Sequence, residues 1–293
     1  MKPVKVIPKI EREHAPWSLI TSQMDGHFRS RSWSGEIPEG TEHIALYDRN
    51  GSYMSAMSSV PLAPNRLTHT GAWGTDTTKR QGRAGIVCIL NFEWTRTDVP
   101  HPLGRTVEGV LPGEPVWIMS NQLEWLDQQA AKGNLPVVDV VDSWTGNRNT
   151  SLFEPFYKWS KVVRESTSGD ERVEAKRAMS RAIRSLHPVQ ARSPFWRPDW
   201  HKAALAEAAL RHFIKADQAV QQGAALVSIG AVDEVAFAVP AGEDPQLWVP
   251  PGYRMGAGYG EVKHKEVLVQ GEKVMSPVTV EQWNQRGRAP RRG

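Results

Sequence analysis

Cysteine is nearly absent from this chain: Cys88 is the only one among 293 residues. A single thiol excludes an internal disulfide and any multi-cysteine zinc site, and inside "GIVCILNF" it reads as a small buried hydrophobe. Long apolar runs are missing too. No window approaches the roughly 18 apolar residues that would span a bilayer, and "MKPVKVIPKIEREH" has no apolar stretch of the signal-peptide kind. These absences predict a soluble protein of the reducing cytoplasm with no membrane partner. Charge of one sign is scarce as well, because 36 Lys and Arg face 32 Asp and Glu for a formal net charge of +4. The pI near 9.2 leans toward an anionic partner, which a local patch must then meet. Repeats are also lacking: the 12 tryptophans follow no fixed period from Trp17 to Trp283, as packing residues do.

What is present suffices for a real core. A hydrophobic content of 40% over this length suits one composite domain or two modest ones. Residues 1–42 are polar and turn-rich, with a strand predicted around "GHFRSRSW", and "HIALYD" is the first clear strand. After Pro61 and Pro64 the chain is mostly extended, with strands at "GRAGIVCILNFEW" and "PVWIM". "SNQLEWLDQQAAKG" predicts an amphipathic helix capped by Ser120 or Asn121 and stopped by Gly133. "LPVVDVVDSW" reads as a strand. "SLFEPFYKWSKVVRES" and "DERVEAKRAMSRAIRSLH" then form a helical hairpin across "STSGD". An Ala-rich helix follows, opened by Asp199 and closed by Gly223. The apolar strands "AALVSI" and "VAFAV", separated by "GAVDE", make a tight β-hairpin with acid at its tip. "RGRAPRRG" has no apolar partner for its arginines and reads as a disordered basic tail.

Two features carry chemistry. Asp48 ends a strand, and Asp233 and Glu234 sit on the late hairpin; if those strands are neighbours, their carboxylates converge as a two-metal phosphoryl-transfer centre requires. Magnesium is the usual ion for such oxygen donors. Taken singly, acids in turns mostly serve local hydrogen bonds, so the pairing needs support. The helix at 170–187 supplies it. Its Ala175, Ala178, Met179, Ala182, Ile183 and Leu186 fall on one face, and Lys176, Arg177, Ser180, Arg181 and Arg184 on the other. A solvated basic face is the ordinary reading. Four cations with no acid among them call for an anion, of which triphosphate and nucleic acid are the obvious kinds.

In this order the parts resemble the palm and fingers of family B DNA polymerases, particularly the protein-primed kind of phages and linear plasmids, over residues 26–275. "YDRNGSYMSAM" is similar to the first palm motif, which implies that Asp48 binds metal and that Tyr53 lies under the incoming sugar and excludes a 2′-hydroxyl. Gly51 stands where the motif has serine and Met54 where it has proline. "VSIGAVDEVAFAV" resembles the Asp-Thr-Asp-Ser hairpin: Asp233 matches its second, metal-binding aspartate, Ala231 replaces the first, and Glu234 replaces the serine as a compensating carboxylate. In the fingers-like hairpin, Lys176 matches the lysine that grips nucleotide phosphates. Ser180 and Arg184 extend that nucleotide-binding side, although the motif's Asn-Ser-x-Tyr-Gly has become Ser180 to Arg184. "FRSRSW" is similar to the template-binding loop, with Arg29 and Arg31 left as a positive loop. "MGAGYGEVKHKE" resembles the segment after the hairpin. "EKVM" resembles the primer-contact Lys-x-Tyr through Lys273. Arg177 and Arg181 complete the implied DNA contacts.

The resemblance implies an α+β fold: a palm of antiparallel sheet and helices, a short helical-hairpin fingers element and a reduced thumb. Residues 1–150 would hold the N-terminal segment and first part of the palm, 151–190 the fingers, 191–260 the second part of the palm, and 261–293 the thumb and tail. The implied cofactor is magnesium or manganese. The implied partners are template and primer DNA, deoxynucleotides and a terminal or priming protein, in DNA replication of a phage or mobile element. Only 47 residues precede Asp48, which predicts no proofreading exonuclease. The leading expectation is a template-directed DNA polymerase using two metal ions. Against it stand a catalytically inactive polymerase-like protein that binds DNA or assists replication, motivated by Ala231 and the altered fingers, and a simple nucleic-acid-binding module.

Overall fold

The computed structural model describes residues 33–186, 194–230 and 232–269. Arg29, Arg31, Ala231, Lys273, most of the strand predicted around "GHFRSRSW", and the arginine tail lie outside them. In chain order the elements are β1 (Trp33–Ser34), β2 (His43–Arg49), α1 (Ser52–Met57), β3 (Thr68–His69), β4 (Arg83–Leu90), β5 (Pro115–Met119), α2 (Ser120–Ala131), β6 (Val140–Asn147), α3 (Glu154–Ser166), α4 (Gly169–Arg184), α5 (Pro198–Gln221), β7 (Ala225–Gly230), β8 (Glu234–Ala238) and β9 (Val262–Val269). The strands form two antiparallel sheets, ordered β3-β6-β4-β5 and β1-β7-β8-β2-β9. The sheets belong to different compact units. One unit takes its described residues from Tyr53–Trp94 and Leu103–Leu210, the other from Arg29–Ser52, Thr95–Pro102 and Arg211–Gly293. Among the described residues no helix is long and apolar enough to cross a membrane.

In the first unit, β4 carries a nearly unbroken apolar run because it is covered on both faces. Val87 and Ile89 pack with Val116 and Ile118 of β5 and with Leu123 and Leu126 of α2. Strand alternation turns Cys88, between Val87 and Ile89, to the other face of β4, where it is also buried; burial with Asp142 nearby pushes its thiol up to about 11, so it is a packing residue. The expected cap of α2 is corrected. Met119 holds the N-cap position, and Gln122 Oε1 accepts from Met119 N at 3.0 Å. The Ser120 hydroxyl instead accepts from Gly85 N of β4 at 3.0 Å, and the Asn121 amide donates to Glu207 of α5 at 2.9 Å. Both side chains are used to tie α2 to its neighbours.

The helical hairpin forms as the periodicity predicts, with Thr167 Oγ1 donating to Val163 O at 2.7 Å where α3 ends. Its packing face is narrower than expected: Met179 and Leu186 are buried, whereas Ala178 and Ala182 are exposed. The basic face is not free of acid either, because Arg177 pairs with Glu174 one turn earlier. Lys176, Arg181 and Arg184 are exposed on the same helix.

The start of α5 is locked by a buried charge pair. Arg197 donates through Nε and Nη2 to the two carboxylate oxygens of Asp199 at 3.0 and 2.7 Å, and both side chains are 3% exposed. The same guanidinium donates to the carbonyls of Ala63, Pro64 and Asn65 and lies 3.9 Å from the Trp200 ring centre. A fork with five fixed donors can serve a carboxylate and a chain reversal together. Removing one partner would leave the other charge buried alone. Asp199→Ala is therefore expected to cost about 3 kcal/mol, read as a lower urea midpoint at unchanged m.

Candidate functional site

The second unit places β2 between β8 and β9. Strand alternation puts Ile44, Leu46 and Asp48 on one face of β2, and Ile44 and Leu46 pack there with Ala236 and Ala238 of β8. The ladder then sets Asp48 directly across from Glu234 on β8 and from Lys263 on β9. Asp233 is the next residue out, at the turn, and its carbonyl accepts from Arg49 N at 2.6 Å. Asp48, Asp233 and Glu234 thus stand at the ends of adjacent antiparallel strands, with Glu234 as the acid that the register opposes to Asp48.

Two carboxylates set directly across a ladder repel each other unless something cationic intervenes. Lysines do so here. Lys263 Nζ lies 2.8 Å from Asp48 Oδ2, and Lys265 Nζ pairs with the Glu234 carboxylate across the width of β2. The second contact follows from a register shift in β9 between the partners of Leu46 and Tyr47, which leaves Lys265 as an extra residue. Such a bulge re-aims a side chain.

The donor chemistry suits a hard cation. Magnesium is commonly held by one or two carboxylates, with water and phosphate completing its shell, and the ammonium groups mark these oxygens as cation-seeking. Among the described residues no group of three or more His, Cys, Asp or Glu side chains is gathered as a metal site. The protein donors available to an ion at this strand end are two carboxylates, Asp48 and Glu234, with Asp233 beside them in sequence.

Several neighbours hold this end of the sheet. Asn50 N donates to Glu261 O and Gly260 N to Asn50 O, both at 2.8 Å, and Asn50 Nδ2 donates to Gly256 O at 2.7 Å. Gly51 follows with φ of +56°, and the Tyr259 ring lies where a Cβ would project. Glycine at this position thus has a local cause. From α5, His212 is fully buried and its Nε2–H donates to Glu234 O at 2.8 Å. Burial first, then the charge of Arg49, lowers its pKa to about 4, so the ring is neutral and braces the acid-bearing hairpin. Arg49 is lowered mainly by burial, with Tyr253 opposing and Arg211 adding to the fall. His212, Arg49, Lys263 and Lys265 were not among the expected site residues. A histidine inside an Ala-rich helix carries no motif, and the lysines matter only through a strand pairing.

The remaining candidates among the described residues lie in the first unit. Tyr53 is half-buried on α1, and Met54 is buried where the motif has proline. On α4, Ser180 is half-buried, and Lys176, Arg177, Arg181 and Arg184 are exposed.

Two outcomes follow. Gly51→Ser should destabilise the protein by about 1 kcal/mol or more, because the left-handed backbone and the Tyr259 ring both exclude a side chain; a lower Tm is the readout. His212 binds its proton more weakly folded than unfolded, so its stabilising contribution is complete above about pH 6.5 and is lost as pH falls toward 4. Urea denaturation at stepped pH should show that slope, on the order of 3 kcal/mol in all, and His212→Asn should flatten it.

No protein-family model matches the chain, and no curated protein matches it either. Solved structures do. The chain is similar to Phi29 DNA polymerase complexed with primer-template DNA and incoming nucleotide substrates, at 13% identity and a TM-score of 0.54, covering 90% of this chain and 49% of that one. An orthorhombic crystal form of the same polymerase gives a TM-score of 0.56 at 13% identity, again covering 90% and 49%, and its complex with single-stranded DNA gives 0.54 at 13% with 90% and 48%. The chain spans about half the length of these structures, and what it has in common with them is a DNA polymerase fold of mixed helix and antiparallel sheet.

Proposed function

We propose that this protein is a template-directed nucleotidyltransferase of the family B polymerase type, acting on primed DNA. The observation that carries the reading is the cross-strand opposition of Asp48 and Glu234, with Asp233 at the adjoining turn, on the middle strands of a polymerase-like sheet. In this reading residues 1–150 hold the N-terminal segment and first part of the palm, 151–190 the fingers, 191–260 the second part of the palm, and 261–293 the thumb and basic tail, apart from β9, which pairs with β2 in the palm sheet. A magnesium or manganese ion on these acids supplies Lewis acidity toward a phosphate oxygen. The chain's own groups do the rest. Asp48 and the hairpin acids orient the reacting oxygens. Lys176, Ser180 and Arg184 bind the nucleotide phosphates, and Tyr53 rejects a ribose 2′-hydroxyl. Arg177 and Arg181, with Arg29, Arg31 and Lys273, contact the phosphates of the DNA backbone, the arginines through their planar forks. The partners of the reading are primer-template DNA, deoxynucleotides and a priming protein.

One observation favours a second reading, a polymerase-like DNA-binding or replication-accessory protein that has lost catalysis. Asp48 and Glu234 each already have a lysine partner, and Ala231 stands where the motif has an aspartate. Single-nucleotide incorporation on a primed template, with magnesium and then manganese, separates the two. Asp48→Asn should lower incorporation at least about a hundredfold, since transition-state charge stabilisation is at stake. Asp233→Asn compared with Glu234→Gln then identifies the hairpin acid that matters more. Tyr53→Val should admit ribonucleotides, and Lys176→Ala should weaken nucleotide use with Tm unchanged. No incorporation under any condition, together with salt-sensitive DNA binding that survives Asp48→Asn, decides for the second reading.

A further inference from the structure

The acid pair is electrically complete before any ion arrives. Asp48 and Glu234 face each other across the β2–β8 ladder, and Lys263 and Lys265 from β9 each take one of them. Scattered surface ion pairs are common and contribute little, but this arrangement differs in two respects. The acids are forced together by strand register, so a counter-charge is required for the pair to stand ionised. The second lysine reaches Glu234 past an intervening strand, and a bulge in β9 frees it to do so.

We propose that Lys263 and Lys265 are built-in counter-ions that compete with a divalent cation for the same carboxylate oxygens, and that they swing into solvent when the cation enters. The proposal rests on the reading of these acids as a cation site. Charge decides the exchange. Two carboxylates and two ammonium groups sum to zero, and a dication added on top would leave the cluster at +2, with like charges crowded at one strand end. Releasing the lysines restores neutrality at the acids. The side chains can leave, because Lys263 is 54% and Lys265 42% exposed, whereas Asp48 is 23% exposed and stays in the sheet. The fold therefore keeps its acid pair assembled in the absence of metal, at the cost of weaker metal affinity.

The test uses the full chain and Mn2+ alone, with no DNA or nucleotide, followed by isothermal calorimetry and by the loss of free Mn2+ signal in electron paramagnetic resonance. The double variant Lys263→Gln with Lys265→Gln should bind Mn2+ about tenfold tighter than wild type, the scale of losing two partly exposed ion pairs. It should melt lower than wild type without Mn2+ and recover when Mn2+ is added. Lys265→Gln alone shifts affinity in the same direction and serves if the double variant does not fold, and Lys263→Arg, which keeps the charge and grips a carboxylate more firmly, should bind Mn2+ no more tightly than wild type. Equal Mn2+ affinity in wild type and the lysine variants, with binding abolished by Asp48→Asn, overturns the counter-ion proposal and leaves the cation site standing. No Asp48-dependent Mn2+ binding in any of these proteins overturns both.

Discussion

The pairing register between β2 and β8 is the constraint on which the candidate site depends. A one-residue slip would turn Asp48 to the other face, away from Glu234, and would move Ile44 and Leu46 off the core in the same step. The apolar residues therefore position the acids. A one-residue slip cannot keep Ile44, Leu46, Ala236 and Ala238 buried together, so the hydrophobic pattern of two strands holds the carboxylates on one face of the sheet at no separate cost. The burial of His212 against Glu234 O then pins the hairpin from the helix side, where a protonated ring would be expelled.

Much of this was legible in the sequence. The apolar runs of β2, β7 and β8, the turn residues between the last two, and the helical hairpin were all readable from period and punctuation, because each is encoded within a dozen neighbouring residues. The acids were legible for the same reason: each sits at the end of a strand that announces itself. What escaped was long-range. β9 reads "VKHKEVLV", a mixed-charge stretch with no apolar alternation in its first half, and only pairing with β2 makes it a strand. Its lysines acquire a role through a bulge that no local pattern encodes. The cap of α2 was misassigned for a related reason. Ser120 has the chemistry of a cap, but a β4 amide competes for its hydroxyl, and tertiary demand outweighs local preference.

Resemblance and physics divide the work on the departures. Gly51 stands where the motif has serine. The positive φ and the Tyr259 ring give it a structural cause, since the loop that returns at Gly256–Glu261 closes on Asn50 through three hydrogen bonds and leaves no room for a side chain. Met54 in place of proline is a buried residue of a short helix, where its flexible thioether packs in the core.

What bears on the reactivity of the acids is electrostatic. A carboxylate pair able to stabilise a developing phosphate charge must hold a cation, and any protein that keeps such a pair has to keep it from flying apart when no cation is there. Proteins meet that demand by protonating one acid, by opening the pair to water, or by supplying a cationic side chain. This chain takes the third course at both acids, with ammonium groups on long, half-exposed stems. A guanidinium would have held a carboxylate in a bidentate grip that is hard to release, whereas a lysine binds as a point charge on four rotatable carbons and lets go readily. The choice of lysine at both positions is what an exchangeable counter-ion requires, and it distinguishes this end of the sheet from the Arg197–Asp199 pair, where the charge is buried, forked and permanent.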